Sequence, residues 1–220
     1  MMTSHKFLSF LYDITQYQSL KKIGIAILIM IAAGVIYGGY YWYSIRKDQE
    51  AQKMFAECLE QFERASVSHD ESLWNDVIRA FDNGFERAQK SSFGPYFLAF
   101  KADALIRLKK NAEARETMRT MMSMMSSSSP LYPLYKIKYA LMKIDADEAL
   151  TKSEGLADLE KVAEDKKSFY QDMALYYRGY NAFMNGDIDW AQKLWTQLIR
   201  TYGAESLWSQ MAQAKLEFTA

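Results

Sequence analysis

The sequence predicts an all-α protein in which one transmembrane helix is followed by a domain of repeated helix pairs. A long run without a single charged residue lies near the N-terminus. The 220-residue chain holds only three prolines and no extended alternation of apolar and polar residues, which argues against β-strands. One two-helix pattern also occurs twice along the chain.

The uncharged run extends from Ile23 to Tyr43 and is bracketed by Lys21-Lys22 and Arg46-Lys47. At about 1.5 Å per residue, a helix of this length reaches roughly 30 Å, the thickness of the hydrocarbon core of a bilayer. A cleaved signal peptide is the alternative, but the run is too long and tyrosines flank its candidate cleavage pair, Gly38-Gly39. We therefore expect a retained membrane anchor.

The predicted domains are a head over residues 1–22, the anchor over residues 23–45 and a helical domain over residues 46–220. Three lysines precede the anchor and three basic residues follow it closely, so charge does not fix its orientation. We expect the short head in the cytosol, because long domains translocate largely regardless of their charge. The pair Gly34-x-x-x-Gly38 indicates either a weak homodimer through the anchor or small residues without a role.

Charge and motifs exclude several classes of function. The formal net charge is zero, and no dense basic run interleaved with aromatics indicates nucleic-acid binding. Cys58 is the single cysteine, which excludes an internal disulfide, and we expect it in the core. With only His5 and His69, and no HExxH, CxxC, Walker or GxGxxG spacing, the sequence predicts no enzyme, no metal and no cofactor. Asp187 and Asp189 are expected to cap a helix.

The clearest two-helix unit runs from Ala174 to Ile199. Its small residues Gly179 and Ala191, turn residue Gly186 and large aromatic Trp195 occupy the positions that a tetratricopeptide repeat gives to these residue types. Two antiparallel helices cross closely only where side chains are small, and the aromatic fills the space beside the crossing. This unit therefore predicts a tetratricopeptide-like α-solenoid.

The same scheme appears earlier in the chain at a constant offset, with Ala102 and Ala114 at the small positions, Met118 at the large one and Lys109 in place of the turn glycine. A third, irregular pair around Ala140 and Gly155 lies between these units. Residues 49–65 and 72–91 are expected to form an opening pair, which gives about four pairs in total. A C-terminal capping helix is expected to pack through Leu207, Met211, Ala214 and Phe218, which follow i, i+4, i+7, i+11 spacing.

The order of a short head, one anchor, a linker helix and divergent repeats resembles the YfgM-like ancillary subunits of the bacterial Sec translocon. The segment RGYNAFMNGDIDWAQKLW is the most specific part, and SSFGPYFLAFKADALIRLKKNAEAR is similar to that family's first full repeat. The resemblance implies a single-pass inner-membrane protein with a periplasmic domain, associated with translocon subunits and a membrane-anchored periplasmic chaperone. The groove of such a domain is expected to bind a partner protein or an emerging polypeptide. A cytosol-facing scaffold with the same fold is the alternative, and a membrane-bound enzyme is a third.

Stacked helix pairs form a concave groove that is lined mainly by the first helix of each pair. The expected groove residues are Tyr96, Asp103, Ile106, Arg107, Leu134, Ile137, Leu141, Met173, Tyr176, Tyr180, Phe183 and Met184. The alternative for some of them is the core, since a register error of one residue exchanges groove for interior. Met118, Met121, Met122 and Met125 form one helical face that is expected to fill the core.

Overall fold

The computed structural model describes the backbone of residues 4–68 and 70–219, and the side chains of residues 30–31, 33–68 and 70–218. Every regular element in these ranges is helical, as the sequence predicted. The α-helices are α1 (Ser4–Val67), α2 (Ser72–Ala88), α3 (Gly94–Arg107), α4 (Asn111–Met124), α5 (Tyr132–Ile144), α6 (Ala149–Glu164), α7 (Gln171–Met184), α8 (Ile188–Tyr202) and α9 (Leu207–Thr219). A 3₁₀ turn over Gly203–Glu205 joins the last two.

The chain divides into two compact units, residues 1–50 and residues 51–220. In the first unit, the described side chains from Met30 to Tyr43 are exposed and mostly apolar. The Arg46 guanidinium lies 5.5 Å from the Trp42 ring centroid and 3.6 Å from the Glu50 carboxylate. Lys47 Nζ lies 4.8 Å from the Tyr43 ring centroid. Cations therefore contact the aromatic residues at the end of the uncharged run.

Among the described residues, no helix is both long and apolar enough to cross a membrane. The side chains of the predicted head, residues 1–22, and of residues 23–29 of the predicted anchor lie outside the described ones.

In the second unit, consecutive helices form pairs. The last turns of α1 pack on α2, where the rings of Phe62 and Trp74 lie 5.1 Å apart and Cys58 Sγ donates to the Ala80 carbonyl oxygen at 3.4 Å. In the irregular pair α5–α6, a Cβ on Gly155 would lie 2.6 Å from the carbonyl oxygen of Ala140. Glycine thus permits the close crossing of that pair.

The pairs α3–α4 and α7–α8 reproduce the repeat of the sequence in their backbones. The bounds of α3 and α7 differ at both ends by the same offset that separates Ala102 from Gly179. In the two turns, the Lys110 N–H donates to the Leu105 carbonyl at 2.9 Å, and the Asp187 N–H donates to the Ala182 carbonyl at 3.0 Å. The turn residues Lys109 and Gly186 both have positive φ, 58° and 82°. Both helices therefore end in the same left-handed cap.

The register of the closing helix differs from the prediction. Leu207 and Phe218 are 63% and 84% exposed, and Met211 and Ala214 are exposed as well. The helix α9 instead packs through Trp208, Ala212 and Leu216, which also follow helical spacing. The aromatic ring of Trp208 decides the packing face, because it lies 5.3 Å from the ring centroids of both Tyr176 and Tyr177 on α7.

Candidate functional site: two faces of the helical domain

The residues predicted to pack the repeats lie at the helix crossings, except for the turn residue. Six of them are buried: Ala102, Ala114, Met118, Gly179, Ala191 and Trp195. Gly186 is exposed and lies in the turn between α7 and α8, where its φ is positive. Glycine adopts this conformation without strain because it has no Cβ. The methionine face of α4 also lies inside, with Met121 fully buried and Met125 nearly so. These buried side chains belong to the core, whereas Met122 of the same methionine face is half-buried.

Two of the predicted groove residues lie in the core. Ile137 is 0% exposed and Tyr176 is 4% exposed, and both belong to the core cluster shared by α5–α9. For Tyr176 the cause is α9, because Trp208 packs on its ring. Ile137 of α5 packs in the same core cluster as residues of α6 and α7. Both residues are therefore corrected from groove to interior, which was the alternative for a shifted register.

The α3–α5 face, formed by the first helices of two adjacent pairs, keeps several predicted residues accessible. The Asp103 carboxylate and Lys138 Nζ lie 2.6 Å apart, and both side chains are about one-third exposed or less. The rings of Tyr96 and Tyr135 lie 6.0 Å apart across the same two helices. The remaining predicted members on this face are half-buried Leu134 and exposed Ile106 and Arg107, whereas half-buried Leu141 packs against the core cluster shared by α5–α9.

Arg107, at the end of α3, contacts an aromatic residue of the preceding helix α2. Its guanidinium carbon lies 5.8 Å from the centroid of the Trp74 ring on α2. The arginine therefore covers the indole while remaining exposed to solvent. Ile106 is next to it at the end of α3 and leaves an apolar side chain exposed.

At the other end of the domain, α9 covers the predicted groove face of α7. Lys215 Nζ lies 5.5 Å from the Tyr180 ring centroid and 6.0 Å from the Phe183 ring centroid. Met173 is half-buried, whereas Met184 remains exposed at the end of α7. The spacing of Leu207, Met211, Ala214 and Phe218 predicted another packing face of α9, so this cover was not expected from the sequence. The stripe of Trp208, Ala212 and Leu216 was the signal for it.

Burial raises the pKa of three tyrosines of the helical domain. Burial raises the pKa of Tyr135 to about 12, with contributions from Tyr96 and from the Asp103 carboxylate. Burial also raises the pKa of Tyr176 and Tyr177. Half-buried Tyr135 and Tyr177 offer apolar ring surface and a hydroxyl for hydrogen bonding.

The polar groups of the described residues are satisfied where they are buried, since none of their fully buried side-chain nitrogen or oxygen atoms lacks a hydrogen-bond partner. No group of three or more histidine, cysteine or carboxylate side chains within the described ranges is arranged to hold a metal ion. Asp187 Oδ1 accepts a hydrogen bond from the Trp190 N–H at 3.2 Å and caps α8. That carboxylate has the capping role that its position predicted.

The chain was compared with protein families, curated proteins and solved structures, and none of the three comparisons found a significant match. The assignment of a function therefore depends on the residues and contacts described above.

Proposed function

We propose that this protein is a membrane-tethered, tetratricopeptide-like adaptor on the periplasmic side of the inner membrane. In this proposal, the segment Ile23 to Tyr43 is the anchor and the helical domain binds translocon subunits, a periplasmic chaperone or an emerging polypeptide. The proposal rests on the YfgM-like order of head, anchor and repeats. The described helix pairs support its coarser part, a repeat-like all-helical domain.

The observation that carries the binding role is the α3–α5 face. It combines the ion pair of Asp103 and Lys138, the half-buried ring of Tyr96 and the accessible apolar side chains of Ile106 and Leu134. Tyrosine is enriched at protein-binding surfaces, and charged groups lie mainly at the rim of such surfaces. A rigid row of first helices presents them with little loss of conformational entropy on binding.

The tether would contribute through effective concentration. A domain held at the membrane surface meets the mouth of a channel far more often than a free domain does, so weak contacts suffice for capture. We therefore expect individual contacts of the α3–α5 face to be weak when measured with an untethered partner.

The binding role is tested by in-cell crosslinking of the full-length tagged protein, followed by purification in mild detergent and identification of the crosslinked proteins. Recovery of translocon subunits and a periplasmic chaperone supports the proposal. The variants Ile106→Ser and Leu134→Ser should reduce that recovery, whereas Leu150→Ser, which removes an exposed leucine from α6, should not. Recovery that is equal in all three variants would remove the α3–α5 face from the proposal.

Orientation separates the proposal from its alternative, a cytosol-facing scaffold. A cysteine introduced at Ser127, in the exposed turn after α4, reports the side on which the domain lies. In spheroplasts, a membrane-impermeant maleimide should label Ser127→Cys and leave Ser4→Cys, in the head, unlabelled. The reverse pattern favours the cytosolic scaffold. Extraction with alkaline carbonate tests the anchor separately, because an anchored chain stays in the membrane pellet.

A further inference from the structure

The outward side of α9 is apolar. Leu207 is 63% exposed, Met211 is 39% exposed and Phe218 is 84% exposed. Ala214 lies between them and is exposed as well. These four residues follow i, i+4, i+7, i+11 spacing, so they form one stripe along the helix. We call this stripe the α9 outer face. It is separate from the stripe through which α9 packs on α7.

The corresponding face of α7 is covered by a neighbouring helix. Each residue of the α9 outer face follows a residue of α7 at one constant offset, the length of a tetratricopeptide repeat. The four counterparts are Met173, Tyr177, Tyr180 and Met184. On α7, the Tyr177 ring lies 5.3 Å from the Trp208 ring of α9. The Tyr180 ring centroid lies 5.5 Å from Lys215 Nζ of α9. The repeat therefore makes the α9 outer face a surface on which a further helix packs.

Few charges flank the α9 outer face. Lys215 and Glu217 are the two charged residues of α9. Lys215 lies over the Tyr180 ring. Glu217 Oε1 accepts a hydrogen bond from Gln213 Nε2 at 3.4 Å. An amphipathic helix that lies on a lipid surface carries several lysines or arginines beside its apolar stripe, which α9 lacks. A strongly charged partner would find no matching opposite charge, whereas a second α9 is neutral and meets no net repulsion.

The α9 outer face is complementary to itself when two copies of α9 run antiparallel. Around a two-fold axis midway between Met211 and Ala214, Met211 lies opposite the second copy's Ala214. Leu207 then lies opposite the second copy's Phe218. Each layer pairs a larger side chain with a smaller one, so the side chains of the two helices can interdigitate. A parallel pair would place methionine against methionine and alanine against alanine, which gives layers of unequal width.

The small size of the α9 outer face requires that its partner be held nearby. Four side chains on one helix bury much less than the roughly 800 Å² per partner of a standard protein interface. Two free domains would therefore pair weakly. Two copies anchored in one membrane meet at a high effective concentration, so the same weak contacts suffice.

We propose that α9 pairs antiparallel with α9 of a second copy of this chain, through Leu207, Met211, Ala214 and Phe218, in a two-fold dimer at the membrane. The inference rests on the anchor of the proposed function. It does not depend on the partner at the α3–α5 face, which shares no residue with the α9 outer face. A dimer would present two α3–α5 faces, so a partner with two binding segments would be held more tightly than by one copy.

The test is disulfide crosslinking of the full-length protein in liposomes of phosphatidylcholine and phosphatidylglycerol. Cys58 is buried, so each variant has one accessible cysteine. After oxidation with copper phenanthroline, Met211→Cys should form a linked dimer, because residue 211 lies next to the two-fold axis. Leu207→Cys should form about 10-fold less, since at about 1.5 Å per residue its two copies lie roughly 16 Å apart along an antiparallel pair. Leu150→Cys, exposed on α6, measures chance collisions.

A second set of variants tests the apolar contacts. In the Met211→Cys protein, Leu207→Ser together with Phe218→Ser should lower the linked fraction at least about 5-fold, because two large apolar side chains leave the pair. Leu150→Ser should leave that fraction unchanged. Circular dichroism should show unchanged helicity in all of them, since the three substituted side chains are exposed.

The outcomes separate this inference from the proposed function. Flotation of the liposomes on a density gradient first shows whether the protein is anchored. If the protein floats but Met211→Cys links no more than Leu150→Cys, the dimer is overturned and the anchor stands. Equal linking through Leu207→Cys, or no effect of the serine substitutions, would also overturn the antiparallel pair. A protein that does not float would overturn the anchor and the dimer together.

Discussion

Trp195 of α8 packs directly on the backbone of Gly179 in α7. A Cβ on residue 179 would lie 2.5 Å from Trp195 Nε1 and 2.7 Å from Cδ1. The indole is fully buried, and its Nε1–H donates to the Tyr176 carbonyl oxygen at 3.3 Å. Because that hydrogen bond fixes the ring, the indole cannot move away from a larger side chain without leaving its N–H unsatisfied.

We therefore expect Gly179→Ala to lower the free energy of unfolding, although alanine favours a helix by about 1 kcal/mol over glycine. Overpacking of the Trp195 ring costs about 1–3 kcal/mol, so the net loss should be about 1 kcal/mol, and Gly179→Leu should prevent the last pair from folding. Urea unfolding of the full-length protein in mild detergent, followed by circular dichroism at 222 nm, measures the change.

Two further variants separate overpacking from other causes. Trp195→Phe removes the ring atoms nearest to residue 179, so Gly179→Ala should cost less in that background. Lys152→Ala, at an exposed position of α6, should leave stability within about 0.5 kcal/mol. A Gly179→Ala protein as stable as the original chain would contradict the crossing geometry.

The matched turns after α3 and α7 give a reciprocal prediction. Lys109 has a φ of 58°, a conformation that costs a residue with a Cβ about 1 kcal/mol, whereas Gly186 has a φ of 82° at no such cost. Lys109→Gly should therefore stabilise the protein by about 0.5–1 kcal/mol, and Gly186→Ala should destabilise it by a similar amount. Urea midpoints of the two variants check both signs. Equal destabilisation by both would show that the turns differ.

The sequence predicted these repeats because small residues at a crossing leave a regular pattern. Ala102 and Ala114 recur as Gly179 and Ala191, and the bounds of α3 and α7 follow the same offset. Lys109 shows the limit of residue types, since its positive φ is imposed by the cap and not by its own preference.

The exposed faces were harder to predict because they depend on which neighbouring helix covers a residue. Tyr176 has the spacing of a groove residue, but α9 packs over it. Two apolar stripes were available on α9, and the larger ring of Trp208 selected the stripe that packs. A groove between α6 and the α7–α8 hairpin left no pattern in the sequence, because the residues that line it, such as Leu156, Asn181 and Trp190, come from three different helices.

The packing face of α9 is tested by substituting its two stripes separately. Trp208→Ala removes the ring that packs on Tyr176 and Tyr177, so it should cost about 2–4 kcal/mol and expose both tyrosines. Leu207→Ser, next to it on the exposed stripe, should change stability by less than about 0.5 kcal/mol. Thermal unfolding and tyrosine accessibility to tetranitromethane give the two readouts. If Leu207→Ser lowered the free energy of unfolding more than Trp208→Ala does, α9 would pack through the stripe of Leu207, Met211, Ala214 and Phe218 that the sequence predicted.

The buried thiol of Cys58 predicts a loss of stability at high pH. Burial, and then the charge of Glu57, raise the pKa of this thiol from 9.0 to about 11. Because the pKa is higher in the folded state than in the unfolded state, the neutral thiol contributes to the free energy of unfolding. This contribution is fully present below pH 9 and is lost as the pH rises through about 11. The variant Cys58→Ala lacks this contribution but keeps all tyrosines, so the difference between the two proteins isolates the thiol.

We therefore expect the stability advantage of the original chain over Cys58→Ala to be constant up to pH 9 and to shrink between pH 9 and pH 11. Urea midpoints at several pH values check this. At pH 8, a maleimide should label Cys58 slowly in the folded protein and rapidly in urea, since only the thiolate reacts. Rapid labelling without urea, or an advantage that does not change with pH, would show that the thiol is not held neutral between α1 and α2.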